Sequence, residues 1–597
     1  MRTSIATVSL SGSLTEKLTA AARAGFDGVE IFENDLLASP LSPEEIRARC
    51  ADLGLTIDLY QPMRDVEAVP EAEFGRNLRR ARHKFELMNR LGADTVLVCS
   101  SVSPHAVDDD SHAAGQLSRL ADLAREFGIR VAYEALAWGR HVNTYEHAWR
   151  IVETAGHPAL GTCLDSFHIL SRGSGPKSLE GIADIPGEKI FFLQLADAPL
   201  LAMDVLQWSR HYRCFPGQGG FDLANLLGHV LRTGYAGPLS LEVFNDVFRQ
   251  ADAGPTAVDA HRSLLLLQEA AGVAELPAPV VPTGVAFTEL LTADAEPVTA
   301  VLAALGFTRV ARHRGKPVDL WQSGRARVLV NTGPAARRDG TRLAAIGLES
   351  PDPAAAARRA ETLLAPVLPR RRDPGDAPLE AVSAPDGTEL FFCATGGDQL
   401  PDWRADFEDL PDHGSPAPSA IRVDHLALTQ PWHHFDEAAL FHRSVLGLDA
   451  ERSVDLADPY GLLRSRAVSN ADGSVRIALS VGAAPTDDTA HAQHIALATD
   501  DVVAAARAFR AAGGRLLPVP ANYHDDLAAR YEFEAGELET YRDLGILYDR
   551  DAGGAFRHCY TVTVGRVFFE LVQRDAGYQG YGAANAPVRL AAQHTPH

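Results

Sequence analysis

Between residues 131 and 244 the chain reads VAYEAL (131–136), GTCLDSFH (161–168), FFLQLAD (191–197) and LSLEVF (239–244). Each is a short apolar run that ends on an oxygen-bearing side chain, in turn Glu134, Asp165, Gln194 and Glu242. Stretches of helical length separate the runs, so they read as strands of a parallel sheet joined by crossover helices. In a closed (β/α)8 barrel the carboxyl ends of the strands share one face, and that face carries the chemistry. Oxygen donors at successive strand ends predict a single divalent-cation site there. An all-oxygen donor set suits Mg2+, Mn2+ or Co2+ better than a thiolate-seeking metal.

Working outward, the same rhythm extends from residue 1 to about 272. SIATVSL, GVEIF, LTIDLY and TVLVC precede the quoted runs, and the apolar helix DAHRSLLLLQEAAG (259–272) closes the series. A complete α/β barrel is therefore expected over 1–275, with a proline-rich linker at 276–283. A second such segment at 411–420 divides the remainder into 284–410 and 421–597. At 597 residues, several domains are expected. A net charge of −22 argues against a nucleic-acid partner, whose phosphates call for clustered Lys and Arg. The six cysteines are scattered, without CxxC pairs, and read as reduced core thiols. The opening MRTSIATVSLSGS lacks an apolar stretch of signal-peptide length, and no run elsewhere has the length of a membrane span. The expectation is a cytoplasmic enzyme with a small-molecule substrate and no membrane partner.

A cation held by the four strand-end residues would act as a Lewis acid on a substrate carbonyl or hydroxyl, stabilising an enolate when the neighbouring carbon loses a proton. His168, three residues past Asp165, is the candidate base, with an expected pKa near neutrality. Arg64, Arg210 and His211 are candidate partners for a substrate carboxylate, because arginine grips one through two hydrogen bonds. Gln61 and Asn143 complete the substrate-binding set.

The two segments after the barrel resemble each other. VDHLAL, HIALATDDVVAAARAFRAAGG and GRVFFELVQR in the later one match VAFTEL, AIGLESPDPAAAARRAETLLA and GTELFFCAT in the earlier one, in the same order. This is the pattern of an internal duplication. Alignment of the copies sets Phe287 against His425, Ala345 against His494, and Phe392 against Glu570. The later copy thus carries two imidazoles and a carboxylate on three strands, a donor set that leaves coordination positions open and suits non-haem iron. A second divalent metal, Mg2+ or Fe2+, is expected there, and none in the earlier copy.

Two resemblances follow from these residues. The barrel, through SIATVSLSGSLTEKLTAAARAGFDGVEIFENDLL, DLYQPMRD and CLDSFHIL, resembles the xylose-isomerase-like superfamily and, within it, bacterial 3-dehydroshikimate dehydratases. The later part, through VDHLALT, QHIAL, LGILYDRD, VFFELVQR and GYGAAN, resembles 4-hydroxyphenylpyruvate dioxygenase, a duplicated vicinal-oxygen-chelate fold of α+β class. A TIM barrel fused to such a glyoxalase/dioxygenase-like module is the layout of the two-domain dehydratases of quinate and shikimate catabolism. The resemblance implies metal-dependent conversion of 3-dehydroshikimate to protocatechuate, with Glu134, Asp165, Gln194 and Glu242 as ligands and His168 as base. It also implies a homo-oligomer, since barrels of this superfamily often pair through their outer helices. Many relatives have histidine where this chain has Gln194, a weaker donor. Three other readings compete: a sugar isomerase or epimerase on the same barrel, a phosphodiesterase acting on DNA, and a C-terminal module that senses or oxygenates an aromatic ligand.

Overall fold

The computed structural model describes residues 1–173, 179–337, 340–369, 376–377, 379–394, 403–411, 421–459, 461–482, 492–575 and 577–594. Apart from Pro411, the expected linker 411–420 lies outside them. The chain divides into two compact units, Met1–Leu276 and Pro277–His597.

The first unit is a closed barrel of eight strands: β1 (Thr3–Ala6), β2 (Gly28–Phe32), β3 (Thr56–Met63), β4 (Thr95–Cys99), β5 (Arg130–Glu134), β6 (Leu160–Asp165), β7 (Ile190–Leu195) and β8 (Leu239–Leu241). Every neighbouring pair runs parallel, β8 with β1 included, as the sequence pattern predicts. Crossover helices begin on side-chain caps where these are present, such as Thr144 before Tyr145–Ala155 and Asp222 before Leu223–Arg232.

Strand alternation builds the site. Leu59, Leu97, Ala132, Cys163 and Phe192, one each from β3 to β7, pack into a buried apolar cluster separate from the one beneath the helices. Two residues further along each strand stand Gln61, Cys99, Glu134, Asp165 and Gln194. A strand repeats its facing every two residues, so these side chains form the next layer toward the carboxyl face. The interior thus changes from apolar to polar within one layer.

The second unit holds two sheets with matching plans. In the earlier repeat Gly284–Leu291 pairs parallel to Ala326–Asn331 and antiparallel to Arg342–Ser350, which pairs parallel to Glu389–Ala394. Arg422–Thr429, Arg476–Gly482, Gln493–Ala498 and Val567–Arg574 repeat this arrangement. The register refines the alignment of the copies. His425 faces Ala496, which faces Glu570; Phe287 faces Gly347, which faces Phe391. The counterpart of Glu570 is therefore Phe391, not Phe392 as the sequence alignment has it. A one-residue slip on a strand moves a side chain to the opposite face. The Phe287, Phe391 and Trp403 rings cluster there, with centroids 6.0 Å apart for the first pair and 4.9 Å for Phe287 and Trp403. Gly347 makes room for them: a Cβ on it would come within 2.5 Å of the Phe287 ring.

Candidate active site and metal centres

Asp165 organises the barrel site locally. As the last residue of β6 it caps the short helix Ser166–Leu170, its Oδ1 accepting from the backbone N–H groups of Phe167 at 2.6 Å and His168 at 3.2 Å. That helix carries His168 back over the barrel mouth, where its Nε2 lies 3.8 Å from Asp165 Oδ2. Donor atoms of Glu134, Asp165 and His168 all fall within 4.8 Å of one another. Glu242, just past β8, joins them through a residue absent from the sequence reading. The Arg213 guanidinium, 1% exposed, donates from Nη1 to Asp165 Oδ2 at 2.8 Å and to Glu242 Oε2 at 3.0 Å. Ser209 and the faces of Phe167 and Phe244 hold it in place.

Gln194 is fully buried and donates from Nε2 to Glu30 Oε2 at 2.6 Å, while Cys163 Sγ stands 3.5 Å from its Oε1. Gln61 also donates to Glu30, at 2.8 Å. A cavity of about 820 Å3 opens above, lined by Gln61, Arg64, Glu134, His168, Arg213 and Glu242, among others. Arg210 and His211 reach its wall, His211 while paired to Asp246 at 2.9 Å. Asp165 and Gln194 do not line it. Asn143 is outside this lining too and donates to the Gly139 carbonyl at 3.2 Å. Arg80, Lys84 and Arg249 add cations to the rim.

Asp165, Glu242 and Glu134 place three carboxyls around one buried guanidinium, and Glu30 adds a fourth beside Glu242. Burial, followed by repulsion from Asp165 and Glu242, pushes Glu134 well above the usual carboxylate range. Burial likewise lifts Glu242 to about 7, against the pull of Arg213. Asp165 moves the other way: burial would raise it, but Arg213 and His168 together hold it low. Glu134 Oε1 is buried without a hydrogen-bond partner. Excess buried negative charge and an orphan carboxylate oxygen are what a divalent cation would relieve, so the donor set fits such an ion.

His168 departs from the near-neutral pKa expected of it. Burial lowers it to about 3 against the attraction of Asp165, and Arg213 and Arg64 act in the same direction as burial. Both ring nitrogens face donors, the Ala137 N–H at Nδ1 (3.2 Å) and Arg213 Nη2 at Nε2 (3.3 Å). A neutral imidazole carries one N–H, so only one of these nitrogens accepts at a time, and a second ring proton finds its acceptor at Nε2, where Asp165 Oδ2 lies 3.8 Å away.

In the second unit His425, His494 and Glu570 converge. Glu570 Oε2 lies 3.1 Å from His425 Nε2 and 3.2 Å from His494 Nε2, and the two Nε2 atoms are 3.3 Å apart. Behind them Asp424 accepts from His425 Nδ1 at 2.9 Å and is itself clamped by Arg574. Glu570 Oε1 accepts from His558 Nδ1 at 2.6 Å; Asn585 Nδ2 donates to the other nitrogen of that ring and so fixes its tautomer. Outer hydrogen bonds of this kind orient metal-binding imidazoles and carboxylates. Burial favours a neutral His425, yet Glu570 and then Asp424 hold it at about 9, while burial depresses His494 to about 4. Glu570 Oε2 sits between the two Nε2 atoms without a well-aligned hydrogen bond to either, so this triad also fits a cation. A cavity of about 340 Å3 adjoins it, lined by His425, His494, Tyr560, Arg589, Ser465 and Ser480, among others.

Comparison with known proteins agrees with both folds. Residues 18–267 match the xylose isomerase-like TIM barrel family, 277–400 the N-terminal hydroxyphenylpyruvate dioxygenase family, and 422–534 the glyoxalase/bleomycin resistance protein/dioxygenase superfamily. The class is thus a xylose isomerase-like barrel fused to a dioxygenase-like module. A solved structure titled xylose isomerase-like TIM barrel/4-hydroxyphenylpyruvate dioxygenase fusion protein superposes with a TM-score of 0.88 at 42% identity, covering 99% of each chain. The 3-dehydroshikimate dehydratases of Pseudomonas putida and Pseudomonas aeruginosa are 44% and 45% identical over 99% of this chain and 98% of theirs. The chain belongs to the two-domain 3-dehydroshikimate dehydratase family. Among the described residues, no helix is long and apolar enough to cross a membrane.

Proposed function

We propose that the barrel removes water from 3-dehydroshikimate to give protocatechuate. The observation that carries this reading is the convergence of Glu134, Asp165 and His168 beneath a cation-rimmed cavity, in a chain whose full-length relatives bear that activity's name. Glu134, Asp165, Gln194 and Glu242 would hold Mg2+, Mn2+ or Co2+, which when bound polarises the substrate ketone. The substrate carboxylate is drawn to Arg64 and Arg210 on the wall. His168 accepts the proton from the carbon beside the ketone at Nε2, and Asp165 faces the imidazolium that forms. The hydroxyl β to the ketone then leaves, taking a proton to become water, and enolisation of the ketone completes the aromatic ring.

A pKa of about 3 keeps His168 in its proton-accepting state throughout the working range, so protonation of its ring does not set the acid limb of the rate profile. In the second unit, His425, His494 and Glu570 would hold a further divalent cation, Mg2+ or Fe2+, which when bound offers open positions to a small ligand.

The test is ultraviolet-monitored turnover of 3-dehydroshikimate by metal-stripped protein resupplied with Mg2+, Mn2+ or Co2+. Glu134→Ala and His168→Ala are expected to abolish metal-dependent turnover, and Glu570→Ala to retain it. Absence of turnover under every metal would overturn the assignment in favour of sugar isomerisation. Loss only in Glu570→Ala would move the chemistry to the second unit.

A further inference from the structure

The proposed reaction leaves one buried carboxylate without a role. Glu30 stands mid-strand in β2 and is fully buried. Its Oε2 accepts from Gln61 Nε2 at 2.8 Å and from Gln194 Nε2 at 2.6 Å, and its Oε1 accepts from the Ser240 hydroxyl. The partners come from β3, β7 and β8, so three strands converge on this one group.

An amide side chain is ambiguous in a way a carboxylate is not. Its oxygen can ligate a cation and its nitrogen cannot, yet the two ends have nearly the same size and shape. Oε2 of Glu30 takes two amide N–H groups, so whatever the charge of this carboxyl that oxygen acts as an acceptor. Beside Glu30, Gln194 therefore turns Nε2 toward Oε2 and sends its Oε1 the other way, where the Cys163 thiol, itself among the carboxyls of Glu134 and Asp165, stands 3.5 Å off. The Ser240 hydroxyl occupies the second oxygen of Glu30 and resists rotation of the carboxylate. Gln61 is oriented by the same rule, and its amide is also within hydrogen-bonding reach of Glu242. The arrangement also accounts for an amide at position 194. A carboxyl there would set oxygen against oxygen where the amide donates its N–H to Glu30.

We propose that Glu30 is a positioning residue: by accepting the N–H of Gln194 it presents that side chain's oxygen to the barrel cation, and through Gln61 it braces Glu242. This rests on the reading of Gln194 as a ligand. The substitution that tests it is Glu30→Gln, which keeps the shape but both donates and accepts, so Gln194 is free to turn either end. Mn2+ binding to the full chain is followed through the paramagnetic resonance signal of the free ion. Glu134→Ala serves as the barrel blank, so that the difference isolates the barrel isotherm from that of the second unit. Loss of an orienting partner typically costs 10–100-fold in metal affinity, and a weakening of about that size is expected in the barrel isotherm alone. The exchanged pair Glu30→Gln/Gln194→Glu, in which the new amide donates to the new carboxylate, is expected to bind Mn2+ more tightly than Glu30→Gln.

A Glu30 that merely fills the barrel interior would lower the melting temperature and leave the Mn2+ dissociation constant unchanged; that result, or an exchanged pair no better than the single variant, overturns the proposal. If Glu30→Gln does not fold, Glu30→Asp, which shortens the reach to Gln194, is measured with the same weakening expected. Should Glu134→Ala remove no Mn2+ equivalent from the parent, the barrel metal reading falls and the role of Glu30 with it. Should it remove one while Glu30→Gln binds like the parent, the role of Glu30 alone falls.

Discussion

Replacing Arg213 by methionine tests the electrostatic account of the barrel site directly. The guanidinium is 1% exposed and bonds both Asp165 and Glu242, at 2.8 and 3.0 Å. Methionine preserves much of the packing against Phe167 and Phe244 but leaves those carboxylates with no cation. Removing one partner of a buried ion pair costs about 3–5 kcal/mol, because the other charge stays buried and uncompensated. Unfolding entropy near 60 °C is about 2.1 cal/mol/K per residue, so the 276-residue barrel unit changes by about 0.6 kcal/mol per degree. The barrel's calorimetric transition is therefore expected to fall by about 5–9 °C in metal-free protein. A cation that binds only the folded barrel restores about 2.7 kcal/mol at 100 times its Kd. With the competing guanidinium gone, the Mn2+-induced rise should be larger in the variant than in the parent. A metal-free melting temperature within about 2 °C of the parent's, or an equal Mn2+ response in both proteins, would refute the view that Arg213 and the cation neutralise the same carboxylates.

Two further outcomes follow from buried titratable groups. Burial raises Glu67 to about 7 from an ordinary 4.5. The folded state then holds its proton more tightly than the unfolded chain, so its contribution to stability is full below pH 4.5 and declines as pH rises to 7. The loss approaches about 3 kcal/mol. The melting curve of Glu67→Gln should therefore run flatter than the parent's between pH 5 and 8, and parallel curves would rule the shift out. His425, held at about 9, must lose a proton to bind a metal. Calorimetric titration of Glu134→Ala protein near pH 7.5, in buffers of different ionisation enthalpy, should report about one proton released at the second-unit site; heats independent of buffer would contradict this.

Much of this was legible in the chain because it is local. The strand runs of the barrel follow from apolar patterning, and a strand's alternation places Glu134, Asp165 and Gln194 in one inward layer, two residues beyond Ala132, Cys163 and Phe192. Asp165 as the cap that carries His168 is likewise a short-range arrangement. Glu30 carries a signal of another kind, a charged residue in the middle of the apolar run GVEIF and not at its end. The slip between Phe391 and Phe392 came from two adjacent phenylalanines, which composition cannot tell apart and hydrogen-bond register can.

Contacts through space had to wait for the closed fold. Arg213 reaches Asp165 and Glu242 because the chain after the helix Val205–His211, bridged to Asn245 at Tyr212 and to Asp197 at Cys214, sets it inward, while Arg210 on the helix remains exposed. His168 lies near 3 instead of near neutrality, because desolvation and the cations around it come from elements remote in sequence. Periodicity and local capping are written residue by residue, and so the barrel and the duplicated module can be read from the chain alone. Burial, charge neighbours and the orientation of an amide arise only when separate strands close around a common centre, and these set the chemistry of the site.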